Sequence, residues 1–283
     1  MFTVNFLKTV FLLVSGGMLS VWFGYVLGGV RGAMAAVILA GLMIFGVYWF
    51  CDKLVLFMHR AQPLAEEEAP EVYGILRELS EKAGIPMPKL YLLPAASANA
   101  FATGRDPRHA AIAVTHGIVT LLNKEELEGV FGHELSHILN RDSLLASWVA
   151  ASAGALCVLA SMFRLSFLWG GERDGRQDGN PLVLVAIAVL MPAAALLVRC
   201  VVACSHEYAA DRRGAELCGD PFYLASALRK LDVRSRQLPF RGVNPAMAHL
   251  FIVNPLPRKG WSVLFNTHPP VENRISHLEA IVN

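Results

Sequence analysis

Four long runs of apolar residues without a single charge limit what this chain can fold into. Residues 11–30 and 32–51 give twenty residues each, parted only by Arg31. Residues 143–163 give twenty-one, and residues 181–198 give eighteen before Arg199 interrupts. A helix that crosses a hydrocarbon core of ~30 Å needs about 20 such residues. The spacing predicts four membrane-spanning helices paired as two hairpins, the first turning near residues 28–32. Ala33-Met34-Ala35 resembles a signal-peptide cleavage site, but a signal core is only about 7–15 residues long and a second full-length run follows at once. For the third and fourth runs the rival reading is a pair of buried core helices. Outside the four runs the charged fraction is about a quarter, as in an ordinary soluble domain, although the whole chain is only 17% charged. Disorder is excluded by the same numbers. A net charge of +2 excludes a phosphate-neutralising surface, so no nucleic-acid partner is expected. Five cysteines without a CxxC pair exclude a disulfide scaffold.

The runs divide the chain into 1–51 (an N-terminal transmembrane hairpin), 52–142 (the first part of a polar domain), 143–198 (a second hairpin) and 199–283 (the rest of that domain). If all four runs span, both polar parts lie on one side of the membrane and can form one domain. Within the first part, Val72, Ile75, Leu76 and Leu79 recur at helical spacing from Pro70 to Ala83, ahead of Gly84. Strand-like runs cover 89–93, 99–104 and 110–115, the last two around a turn at 105–107 and so read as a hairpin. Asn123 suits a helix N-cap, followed by Glu125 and Glu126 in the first turn.

That helix carries His-Glu-Leu-Ser-His at 133–137. Positions i and i+4 share one helical face, so His133 and His137 can meet one cation while Glu134 stands beside them as a proton acceptor. A catalytic zinc usually has a third protein ligand and one open position. No metzincin-type continuation follows, since 138–142 reads Ile-Leu-Asn-Arg-Asp. The next acidic pair at helical spacing is Glu207 and Asp211, which reads as a ligand with an outer carboxylate. The alternative for this pair is a solvated helix face with Asp211 paired to Arg212 or Arg213.

The chain resembles the HtpX-type membrane zinc endopeptidases, relatives of the type I CaaX prenyl proteases. The resemblance spans nearly the whole chain: paired N-terminal spans, Asn-Ala-Phe-Ala-Thr-Gly-Arg at 99–105, the run from Leu127 to Asp142, two more spans, Glu-Tyr-Ala-Ala-Asp at 207–211 and Thr-His-Pro-Pro at 267–270. It implies a mainly α fold with a small β-sheet, in which four transmembrane helices accompany a zincin (gluzincin-like) catalytic domain. It implies one zinc ion per chain on His133, His137 and Glu207, with Glu134 as base and Asp211 behind the ligands. His268 and Arg274 match positions close to substrate, where a donor can face an oxyanion. An exposed Thr-His-Pro-Pro turn is also compatible with a purely structural role.

Function follows as an expectation: hydrolysis of peptide bonds in membrane or misfolded proteins, in membrane protein quality control. Asn99, Ala100, Phe101, Ala102 and Thr103 are expected to pair with substrate main chain by strand addition. The expected partners are protein substrates and the lipid bilayer of a bacterial inner membrane, with the catalytic domain on the cytoplasmic side. Two other classes remain to be weighed. A membrane metal-binding or chaperone-like protein without turnover would have no use for Glu134. A transporter would need charged residues inside its spans, and these have none.

Overall fold

The computed structural model describes residues 2–151, 153, 204–240, 243–256 and 268–281. The chain is mainly helical with one small mixed sheet. Helix α1 (Phe2–Met58) contains both N-terminal apolar runs, and its backbone leaves helical angles at Gly28 and at Gly29 (φ 58°). Only glycine adopts such angles cheaply. Among the described residues no helix is long and apolar enough to cross a membrane. The run 181–198, and 143–163 beyond its first residues, lie outside the described residues.

Strand β1 (Gln62–Pro63) leads into α2 (Pro70–Ala83), which starts on its proline and stops where Gly84 turns left-handed. Strands β2 (Lys89–Leu93), β3 (Ala100–Gly104) and β4 (Ala110–Thr115) follow. The sheet order is β1-β2-β4-β3. β2 runs parallel to β4, while β3 folds back against β4 as an antiparallel hairpin and ends the sheet. Both faces are covered, which is why β4 is buried at every residue and reads as an apolar run rather than an alternating one. Leu90, Ile112 and Val114 face the core shared with α2 and the later helices. Leu93, Phe101 and Ala113 face Val55 and Leu56 of α1, with Met247 and Phe251. Phe101 and Phe251 meet edge to face, ring centroids 5.2 Å apart.

After the short α3 (His116–Leu121) comes α4 (Lys124–Asn140), whose start is fixed by a capping box. The Glu126 amide donates to Asn123 Oδ1 at 2.9 Å, and Glu126 Oε2 accepts from the Asn123 amide at 3.0 Å. The same carboxylate accepts from Ser226 Oγ at 2.7 Å and Lys230 Nζ at 2.8 Å. The start of α4 is thereby tied to α6 (Pro221–Gln237), which packs on α7 (Val271–Glu279). Arg141 takes left-handed angles (φ 58°) after α4, and helix resumes over 142–151.

Helix α5 (Cys204–Cys218) crosses α4 at glycines. A methyl group on Gly214 would fall 2.7 Å from the His133 backbone nitrogen, and one on Gly132 would fall 2.8 Å from the Gly214 carbonyl oxygen. Both distances are closer than van der Waals contact, so the two backbones touch only because neither position has a Cβ. We therefore expect Gly214→Ala to drive α5 off α4, lowering stability by about 1–3 kcal/mol and displacing Glu207 and Asp211 from the histidines. Thermal unfolding together with metal content of the purified variant checks this. An unchanged Tm with unchanged metal content would contradict the close packing.

Candidate metal centre

Three residues of α4 (His133, Glu134 and His137) and two of α5 (Glu207 and Asp211) meet at that crossing. His133 and His137 are one helical turn apart, and their Nε2 atoms lie 3.1 Å from each other. Glu207, on α5, brings Oε2 to 3.9 Å from His133 Nε2 and Oε1 to 3.7 Å from His137 Nε2. Atoms on a tetrahedral zinc, each about 2.0–2.1 Å from the metal, stand roughly 3.3 Å apart. Ligand atoms of these three residues lie within 4.8 Å of one another, so a small rotation of Glu207 completes the set. Glu207 Oε2 and Glu134 Oε1 are both buried without a hydrogen-bond partner, which suits groups awaiting an ion and a water. The donor set of two imidazoles and a carboxylate fits zinc.

Behind the ligands each imidazole is held by its other nitrogen. His133 Nδ1 lies 2.9 Å from Asp211 Oδ1, and His137 Nδ1 lies 3.4 Å from Asp142 Oδ2. A carboxylate on Nδ1 fixes the tautomer with a bare Nε2 facing the metal position. Sequence reasoning reached Asp211 and passed over Asp142, which stands five residues after His137, beyond the helix end where helical spacing no longer applies. Arg274 fixes Asp211 in turn: its Nε and Nη2 donate to the two carboxylate oxygens at 2.8 and 2.6 Å, and its Nη1 donates to the Ile252 carbonyl at 2.7 Å. Only 1% of Arg274 is exposed, and its guanidinium stands behind the ligands and not on the cleft. His268 does line the cleft, with Nδ1 3.2 Å from Glu207 Oε2, near enough for a charge contact but out of line for a hydrogen bond. His206, beside Glu207, and His249 line the same cleft.

Burial and charge set opposite demands on these groups. Burial pushes the Glu134 carboxyl up to about 7, helped by the nearby Glu207 charge. His133 is pushed down to about 4 by burial, which outweighs Asp211. For His137 burial acts downward too, but Asp142 and Glu207 outweigh it and raise it to about 9. Burial raises Glu207 as well, yet His268, Arg274 and His137 hold it well below the ordinary carboxylate value.

The expected substrate strand lies along one wall. Ala100, Phe101, Ala102 and Thr103 belong to β3, the edge of the sheet, and Asn99 precedes it. Ala102 lines the cleft with its amide turned to Glu134. Thr103 Oγ1 is engaged with Ser147 Oγ at 2.7 Å.

A helix presenting His-Glu-x-x-His to a carboxylate from a second helix, beside an edge strand, defines a metal-dependent peptidase of the zincin class. Residues 66–282 match the model of Peptidase family M48, and the chain belongs to that family of metalloproteases. The Protease HtpX homolog of Syntrophotalea carbinolica is 48% identical over 278 residues, covering 98% of both chains. That of Syntrophobacter fumaroxidans is 46% identical, covering 97% of this chain and 98% of its own. The Protease HtpX homolog of Pyrococcus furiosus is 45% identical, covering 93% of this chain and 91% of its own. The crystal structure of S. mikatae Ste24p superposes with a TM-score of 0.47 at 17% identity, over 98% of this chain and 64% of that one, too loosely to add to the sequence match.

The carboxylate on His137 yields a prediction. Asp142→Asn should weaken zinc binding about 10–100-fold, read by competition with a chromogenic chelator. Unaltered affinity would make the Asp142 contact incidental.

Proposed function

We infer that the protein is an integral membrane zinc endopeptidase that cleaves membrane or misfolded proteins as part of membrane protein quality control. The observation that carries the catalytic part is the meeting of His133, His137 and Glu207 beside Glu134, whose Oε1 is buried without a hydrogen-bond partner. His133, His137 and Glu207 would hold one zinc ion per chain. Bound there, zinc supplies the Lewis acidity that activates water and polarises the scissile carbonyl. Glu134 accepts the proton of the attacking water and returns it to the departing amine. Asp211 and Asp142 hold the imidazoles, and Arg274 holds Asp211. That duty occupies the guanidinium and leaves His268, on the cleft, as the donor for the developing oxyanion. Protein substrates follow from the peptidase class.

The membrane part rests on the apolar runs and on what α1 exposes. Met18, Trp22, Val37, Ile38, Leu42 and Phe45 are each 55–69% exposed, an apolar surface that soluble proteins rarely leave in water. The bilayer of a bacterial inner membrane covers it, with the two hairpins (1–51 and 143–198) inserted. The polar parts (52–142 and 199–283) then form one catalytic domain on the cytoplasmic face.

Two measurements test these parts separately. Glu134→Ala should retain stoichiometric zinc and lose casein cleavage by at least about a thousandfold, whereas Glu207→Ala should lose zinc. Cleavage by Glu134→Ala, or full zinc in Glu207→Ala, contradicts the assignment. Alkaline carbonate washing of membranes should leave the protein in the pellet; release to the supernatant contradicts insertion.

A further inference from the structure

Among the described residues β3 is the free edge of the sheet and borders the cleft, and a free edge offers the N–H and C=O of every second residue to an incoming chain. The register settles which residues face outward. Asn99 turns inward, its carbonyl accepting from the Thr115 amide at 3.0 Å, so Phe101 and Thr103 turn to β4 as well. Ala100, Ala102 and Gly104 face out.

Two of these three are already engaged. The Ala100 amide donates to Asn99 Oδ1 at 3.1 Å, and its carbonyl accepts from the Ile252 amide at 3.0 Å. Asn99 also clasps the next residue of that segment: its Nδ2 donates to the Val253 carbonyl at 2.7 Å, and its Oδ1 accepts from the Val253 amide at 3.3 Å. At the far end the Gly104 carbonyl accepts from Ser143 Oγ at 3.3 Å. Among the described residues this leaves Ala102, the central one, on the lining of the cleft, with an outward carbonyl that no neighbouring segment takes up and an amide turned to Glu134.

Resting on the peptidase reading above, we propose that β3 grips substrate main chain at Ala102 alone, with Ile252 and Ser143 as stops that prevent pairing at either end. The site then takes a chain that is extended for a single residue pair and bends away on both sides. Main-chain pairing over the whole of 99–103 does not occur. Selection among substrates falls to side-chain contacts with the cleft. Ser143 and Ile252 act on specificity through β3 and touch no reacting atom.

The test is an N-methyl scan of a decapeptide taken from a casein fragment that the wild-type holoenzyme cleaves, with kcat/KM read by chromatography. Methylating one amide other than the scissile one should lower kcat/KM roughly tenfold or more, the loss of one desolvated hydrogen bond; methylation two residues to either side of it should have little effect. Ser143→Ala, by freeing the Gly104 carbonyl, should make one further amide sensitive, two residues away. Wild-type sensitivity at two or three alternate amides would show the full edge engaged and overturn the proposal, and so would sensitivity at none. If the wild type cleaves no peptide at all, the peptidase reading fails first.

Discussion

Two helices that touch backbone to backbone at Gly132 and Gly214 carry both imidazoles of the candidate centre and the carboxylates Glu134, Glu207 and Asp211. The ligands come from segments more than sixty residues apart, so no local rule fixes their separation. What fixes it is the absence of two side chains. With no Cβ at either glycine, α5 lies against the very turn of α4 that carries His133, and Glu207 and Asp211 arrive two turns and one turn earlier on α5. The rest of the packing holds this contact in place: Glu126 ties the start of α4 to α6, and α6 carries α7, which delivers Arg274.

The second constraint is the charge buried there. Glu134, Glu207 and Asp211 are each at most 4% exposed, and Asp142 is 6% exposed. Isolated carboxylates in such a place are costly unless paired or metal-bound. Arg274 offsets two of them, bonded to both oxygens of Asp211 and with its Nη1 3.3 Å from Glu207 Oε2. A divalent cation held by His133, His137 and Glu207 would balance most of what remains, and its binding would then be coupled to the stability of the centre. The same burial that makes the site expensive raises the Glu134 carboxyl.

Much of this was legible in the sequence, for identifiable reasons. Pro70 and Gly84 bound α2 because proline suits a first turn and glycine a left-handed stop, and both rules are local. The capping of α4 by Asn123 and the i, i+4 pairing of His133 with His137 are equally local. Glu207 and Asp211 were reachable through the same spacing on a second helix. The two-residue β1 carries no periodicity to detect, and the structure adds it to the sheet through pairing with β2 alone. Asp142 was passed over because the chain turns left-handed at Arg141, so its approach to His137 follows no helical rule. The burial of Arg274 behind the ligands and the closure of the Ala100 end of β3 depend on 245–253, and the Gly104 end is met by Ser143, beyond the end of α4. Long-range contacts of this kind exist only once the chain has folded.

The central claim is that α4 and α5 assemble two imidazoles and one carboxylate around a single ion. X-ray absorption at the zinc edge of the purified holoenzyme tests it directly. The account predicts a first shell of nitrogen and oxygen at about 2.0–2.1 Å with the outer scattering of two imidazoles and no sulfur. Scattering from three imidazoles, which would put His206, His249 or His268 on the metal in place of Glu207, would contradict it, as would a sulfur ligand at about 2.3 Å.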